Sequence, residues 1–181
     1  MRLFAGIPVP EPALGELRKV LDRLRAQEWP VRWTGNEGLH LTLKFYGSVP
    51  DERLPLISRA LTDSATNCGP IPLICSGLGH FPPGRMVQVI WAGVDAPGAL
   101  ELLQDRIERA SEALGFPLEG RPFRPHVTLG RVKTAEKLNA VDLEKFPVLE
   151  DIPFLADRMV LYESRPGPGG SVYTPRSTME L

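Results

Sequence analysis

Two short segments, His40-Leu41-Thr42-Leu43 and His126-Val127-Thr128-Leu129, repeat one pattern: an imidazole and a hydroxyl two residues apart. If each segment is a strand, alternate side chains share a face, so histidine and threonine point one way and the apolar residues point into the core. Histidine's ordinary pKa, about 6.5, lets it give or take a proton near neutral pH. One imidazole can activate a water on one side of a phosphorus atom while the other protonates the departing alkoxide on the opposite side, which opens a cyclic phosphodiester in line. The threonine hydroxyls can donate to the non-bridging oxygens, where negative charge must be held. This chemistry requires no metal, and neither a metal nor a cofactor is expected.

The same alternation puts Lys44 and Tyr46 on the face of His40 and Thr42, which makes Lys44 a candidate phosphate contact. Arg124 shares parity with His126, although Pro125 interrupts the strand. Arg131 has the opposite parity and reaches the site only if Gly130 marks a bulge. Arg32, Arg85, Arg121 and Lys133 also lie near the motif strands, where a solvated surface is the commoner fate of charged residues. Trp33, Phe81, Trp91 and Tyr173 could stack on a base, but core packing is the commoner role, and Trp91 is expected to be buried. His80 has no threonine two residues on and reads as structural.

The elements that position these groups repeat as well. Phe4-Ala5-Gly6-Ile7 returns as Trp91-Ala92-Gly93-Val94, an offset of 87 residues, and the two H-x-T segments are offset by 86. An amphipathic stripe follows each copy, with Leu14, Leu17, Leu21 and Leu24 in the first and Leu100, Leu103, Ile107, Ala110 and Leu114 in the second. We read a duplication: a single domain over 1–181 built from two intertwined half-repeats, roughly 1–85 and 86–181. Asp51 to Ala65 and Thr134 to Leu143 read as helices, and Ile71 to Phe81 and Met86 to Val94 as a strand pair. Phe154 to Glu163 and Val172 to Leu181 read as closing strands around the turn Pro166-Gly167-Pro168-Gly169-Gly170. This mixture gives an α+β class with antiparallel sheets. A pseudo-twofold axis between the halves would bring the two histidine faces together.

Bulk properties narrow the function. The net charge of −1 gives no general attraction to polyanions, so any nucleic-acid contact is local and suits a small or terminal ligand. No stretch approaches the ~20 apolar residues of a membrane span, and the N-terminus opens into a strand-like segment instead of a leader, so a cytoplasmic protein that does not bind membranes is expected. The two cysteines, Cys68 and Cys75, are too few for a disulfide framework and read as free thiols.

His40-Leu41-Thr42-Leu43-Lys44-Phe45 and Arg121-Pro122-Phe123-Arg124-Pro125-His126-Val127-Thr128-Leu129 resemble the paired motifs of the two-histidine phosphoesterase superfamily, and specifically its bacterial LigT-like branch. The resemblance implies a bilobal fold of two pseudo-twofold-related lobes, antiparallel sheet with packed helices, and an active-site cleft between them. It implies hydrolysis of RNA 2′,3′-cyclic phosphates to 2′-phosphomonoesters, with a weak reversible 2′-5′ ligation as a side reaction. RNA ends or small cyclic nucleotides are the expected substrates, and a monomer is expected. Family convention makes His40 the proton donor and His126 the acceptor, assisted by Thr42 and Thr128. The alternative reading is a non-catalytic module that holds a nucleotide or RNA end in the same cleft.

Overall fold

Residues that alternate apolar and polar, interrupted by two long amphipathic stripes, form a strand-rich chain with helices packed on its sheet. The computed structural model describes residues 1–35, 38–95, 97–147, 149–167 and 170–181. In chain order the elements are β1 (Arg2–Pro8), α1 (Ala13–Arg25), β2 (Val31–Trp33), β3 (His40–Ser48), α2 (Leu54–Ala65), β4 (Ile71–Phe81), β5 (Val89–Asp95), α3 (Gly98–Ala113), β6 (His126–Val132), α4 (Ala140–Glu144), β7 (Ile152–Ala156), β8 (Arg158–Gly167) and β9 (Gly170–Glu180). One antiparallel sheet runs β7-β4-β5-β6-β3-β1-β8-β9, with β2 paired to β6. This is the expected α+β class. No described helix is long and apolar enough to cross a membrane.

The sheet has a pseudo-twofold at its centre, where Leu41 of β3 pairs with Val127 of β6, the same position of the two motifs. The strands flanking it are β1 beside β3 and β5 beside β6, so each lobe repeats the other outward. The helices cross over between lobes. α1 packs against β7, on the far lobe, and α3 packs against β3 and α2. The expected stripes do this work: Leu17, Leu21 and Leu24 of α1 and Leu100, Leu103 and Ile107 of α3 are all buried. Burying such side chains stabilises by about 1.5–3 kcal/mol each. The spatial lobes therefore do not follow a cut near residue 85. One contains β3, β1, β8 and β9, and the other contains β4 to β7.

The secondary-structure elements depart from the sequence reading in four places. The repeated tetrapeptide marks equivalent strands but not equivalent registers. Gly6 pairs with Thr42, whereas Trp91 pairs with Thr128, so the matching strands are slipped by two residues relative to the sequence match. A slip of two preserves the face of every side chain, so the match in sequence survived it. The helix expected over 134–143 is only α4, because Leu138 O accepts from Val87 N and Ala140 N donates to Arg85 O, tying that segment to the β4–β5 connection. The strand expected over 154–163 breaks at Asp157, where the chain leaves β4's edge in one lobe for β1's edge in the other. In the expected glycine-rich turn, Pro168 and Gly169 lie outside the described residues, while Pro166, Gly167 and Gly170 belong to the β8–β9 ladder. Cys68 and Cys75 are free, as read from their number.

Candidate active site

The contact between β3 and β6 brings both motifs onto one face. Continuing the Leu41–Val127 register by one residue each way sets His40 opposite Thr128 and His126 opposite Thr42. Leu41 and Val127 are fully buried on the other face. The two imidazoles are then diagonal neighbours, about 7–8 Å apart at the backbone, a span that admits one phosphorus between them. The four residues expected to share a site are thus brought together.

Both histidines are oriented by the same device. His40 Nδ1–H donates to Gly38 O at 2.7 Å, and His126 Nδ1–H donates to Arg124 O at 2.7 Å. A carbonyl can only accept, so Nδ1 carries the hydrogen in each ring and Nε2 is left with its lone pair for chemistry. The segment before His40 is pinned to the facing motif, since Thr34 Oγ1 donates to Thr128 O at 3.0 Å and Thr34 N donates to Leu129 O. Burial pushes the His40 imidazole down to about 4, opposed by its bond to Gly38 and aided by His126 across the site. Burial also lowers His126, opposed by its bond to Arg124 and aided by the Arg131 guanidinium. Both rings are neutral in the free protein at neutral pH.

Strand alternation fails just past each threonine. In the β1–β3 pair, Gly6 sits opposite Thr42 and Ala5 opposite Lys44, so Leu43 is an extra residue. In the β5–β6 pair, Trp91 sits opposite Thr128 and Ile90 opposite Gly130, so Leu129 is extra. These bulges at equivalent positions reverse the parity of the residues that follow them, in β3 as far as a second irregularity at Tyr46. The expectation that Lys44 contacts phosphate is therefore incorrect. Lys44 turns to the core face beside Ala5, is buried, and its Nζ donates to Glu108 Oε2 at 2.6 Å and Pro117 O at 2.7 Å. Tyr46 is reversed as well, its hydroxyl bonded to Ser111 Oγ. Gly130 occupies the place of Lys44 in the other lobe, where a Cβ would lie 2.5 Å from Val31 Cγ1 and 2.7 Å from Trp33 Cε3. Strand β2 covers that point closely and only glycine fits.

The same reversal brings residues to the site. Arg131 reaches the cleft face through a bulge, at Leu129 and not at Gly130 as expected, and from there it lowers His126. Its counterpart is Phe45, 65% exposed, which alternation alone assigns to the wrong face. Arg124 is exposed, and its carbonyl holds His126. His40 stacks on Phe4 at 4.6 Å between ring centres and has Tyr173 edge-on at 5.1 Å and Tyr162 at 5.9 Å. His126 rests against Phe81 at 5.1 Å and Trp91 at 6.0 Å. Trp91 is half-buried on the cleft face, not in the core, because it shares parity with Gly93, the partner of His126. Trp33 packs on the core side. His80 pairs with the buried Ile90 and so faces away from the site. The sequence reading missed Phe4, Phe45 and Tyr162, and the signal for Phe4 and Tyr162 was only that they are aromatic residues at even positions of strand-like segments, β1 beside β3 and β8 beyond it.

Among the described residues no group of three or more His, Cys, Asp or Glu side chains is placed to hold a metal ion.

The sequence profile of the 2'-5' RNA ligase superfamily matches residues 9–168. The chain is 28% identical to the RNA 2',3'-cyclic phosphodiesterase of Methanothermobacter thermautotrophicus, covering 100% of this chain and 99% of that one. It is 30% identical to the protein of the same description from Methanocaldococcus jannaschii, covering 96% of each. Among solved structures, a Thermus thermophilus protein superposes with a TM-score of 0.85 at 27% identity, covering 100% of this chain and 98% of that one. E. coli LigT complexed with 3'-AMP superposes with a TM-score of 0.81 at 25% identity, covering 99% and 97%. These matches bear out the LigT-like resemblance and the bilobal fold read from the motifs. A profile spanning most of the sequence, on a fold whose paired motifs meet at its pseudo-twofold, establishes that the chain belongs to the 2'-5' RNA ligase superfamily.

Proposed function

We propose that the protein is a phosphodiesterase that hydrolyses RNA or nucleotide 2′,3′-cyclic phosphates to 2′-phosphomonoesters without a metal, using His40 as proton donor and His126 as acceptor. The observation that supports the reading is the Leu41–Val127 register pair, with the two histidines, each with Nδ1 tied to a carbonyl, flanking it. The relatives named as RNA 2',3'-cyclic phosphodiesterases support the cyclic phosphodiesterase activity.

In this mechanism His126 Nε2 takes a proton from water as the oxygen attacks phosphorus, and His40 Nε2 protonates the ribose oxygen that leaves. Arg131 beside His126 disfavours its charged form, which suits the acceptor. His40 has no arginine among the groups that lower it, and it takes up its proton when the phosphate anion replaces water against the ring. Thr42 and Thr128 donate to the non-bridging oxygens. Ligation is the same displacement in reverse, and ~55 M water keeps it minor by mass action.

The test is the pH dependence of kcat/KM, which reports the free protein's ionisations. Turnover needs one imidazole charged and one neutral. His40 titrates near 4 and His126 below its ordinary 6.5, so the bell is expected to lie on the acid side, with kcat/KM already falling as pH approaches neutrality and the acid is lost. A profile that is flat between about pH 5 and 8 would exclude the pair from the rate-limiting step.

A further inference from the structure

One hydrogen bond fixes a point of a ring but not its plane. His126 makes one among the described residues, from Nδ1–H to Arg124 O, so its plane is set by what packs against it. Two rings do so. Phe81 meets it edge-on, at 79° and 5.1 Å between ring centres, and Trp91 lies at 51° and 6.0 Å. Phe81 and Trp91 also touch each other, at 5.2 Å. All three spacings are those at which aromatic rings attract.

The bed on which Trp91 lies is made of glycine. Gly79 of β4 is its direct partner in the β4–β5 ladder. A Cβ there would lie 2.1 Å from Trp91 Cη2 and 2.3 Å from Cζ2, so the indole occupies the space where a side chain at position 79 would stand. A Cβ at Gly93, the partner of His126, would lie 2.9 Å from Ser76 O and 3.5 Å from Trp91 Cζ3. Neither glycine has a positive φ, so both positions need space and not backbone freedom. The indole Nε1–H is buried with no acceptor among the described residues, a costly arrangement that a phenyl ring would avoid. Packing alone does not favour tryptophan here. The other lobe uses the same position of the repeat: Phe4 stacks on His40 at 4.6 Å and 29°. Gly6 gives that histidine its room, since a Cβ there would lie 3.3 Å from His40 Cδ2.

We propose that Trp91 is a positioning residue for His126, holding the plane of the imidazole so that Nε2 is aimed at the water it activates, and that Gly79 supplies the space in which the indole is seated. This rests on the reading given under Proposed function. Trp91 acts through His126 and touches no reacting atom.

The test combines steady-state kinetics on a 2′,3′-cyclic nucleotide with NMR titration of the His126 ring, whose signals are assigned by substitution in a chain of three histidines. Burial is the largest cause of the lowered His126 pKa, and Arg131 and His40 are the charged or titratable side chains that face it among the described residues. Every variant leaves those two in place. Trp91→Leu is expected to lower kcat by about 10- to 100-fold with KM little changed. It should also move the His126 midpoint up toward the ordinary value as the cover is lost. Trp91→Phe keeps an aromatic wall and should retain more kcat than the leucine variant. Gly79→Ala should reproduce the leucine phenotype in the wild-type background and add little in the Trp91→Leu background, where no indole remains to be displaced. An unchanged kcat or an unchanged His126 midpoint in Trp91→Leu overturns the proposal. So does a loss confined to KM, which would make Trp91 a substrate contact, or a Gly79→Ala cost that is the same with and without the indole. A wild type that does not turn over the cyclic nucleotide would sink the proposed function, while the His126 titration of the same variants still decides the positioning role.

Discussion

Replacing His40 with alanine is expected to lower kcat/KM on a 2′,3′-cyclic phosphate by about 10²–10⁴-fold, and replacing His126 to lower it by a similar factor. Each substitution removes one end of the proton path, and the other end cannot serve both roles at once. The double variant should be little worse than the worse single one, because groups that act as a unit are not additive. Neither ring carries the fold: both are half-buried, and each makes one backbone hydrogen bond. Unfolding curves should accordingly move far less than rates. Full activity in either single variant contradicts the mechanism, and a loss that tracks unfolding would make the histidines structural.

The second large effect is on stability, and it follows from the corrected position of Lys44. Its side chain is 5% exposed against a Glu108 side chain that is 10% exposed, with Pro117 O as a further acceptor. Glu108 Oε2 also accepts from Glu119 N at 3.0 Å, and Gln104 Nε2 donates to Oε1. Lys44→Met leaves that carboxylate buried without its cation, and chemical denaturation should show a loss of about 3–5 kcal/mol. Combining it with Glu108→Leu should recover most of the loss, since a buried ion pair exchanged for apolar groups is often neutral or better. A phosphate contact would behave oppositely, with turnover falling and stability unchanged. The same bonds hold the start of the segment that leads to Arg124 and His126, so the pair fixes the fold around the site without touching it.

The core of the site was legible in the sequence because a repeated short-range pattern encodes it. Histidine and threonine two apart on a strand share a face by geometry, and recurrence at nearly constant spacing announced the two lobes. The helical stripes were equally plain, since Leu17, Leu21 and Leu24 follow the helical period and are buried as that period requires. Features that depend on partners distant in the chain were hidden. The bulges at Leu43 and Leu129 exist only in relation to β1 and β5, and they send Lys44 inward and Phe45 outward against simple alternation. The break at Asp157 likewise reflects a change of pairing partner from β4 to β1, which a lone aspartate between two apolar runs does not announce. Arg32 and Arg131 are 99 positions apart in sequence, and their opposition arises from the β2–β6 register alone.

The central claim is metal-independent opening of a 2′,3′-cyclic phosphate between two histidines. Its most direct test is to incubate the purified protein with a 2′,3′-cyclic nucleotide in excess EDTA and read the product by phosphorus NMR. Turnover that persists in EDTA and yields the 2′-phosphomonoester is the predicted result. Activity abolished by EDTA and restored by a divalent metal, or a 3′-phosphomonoester as the product, would contradict it.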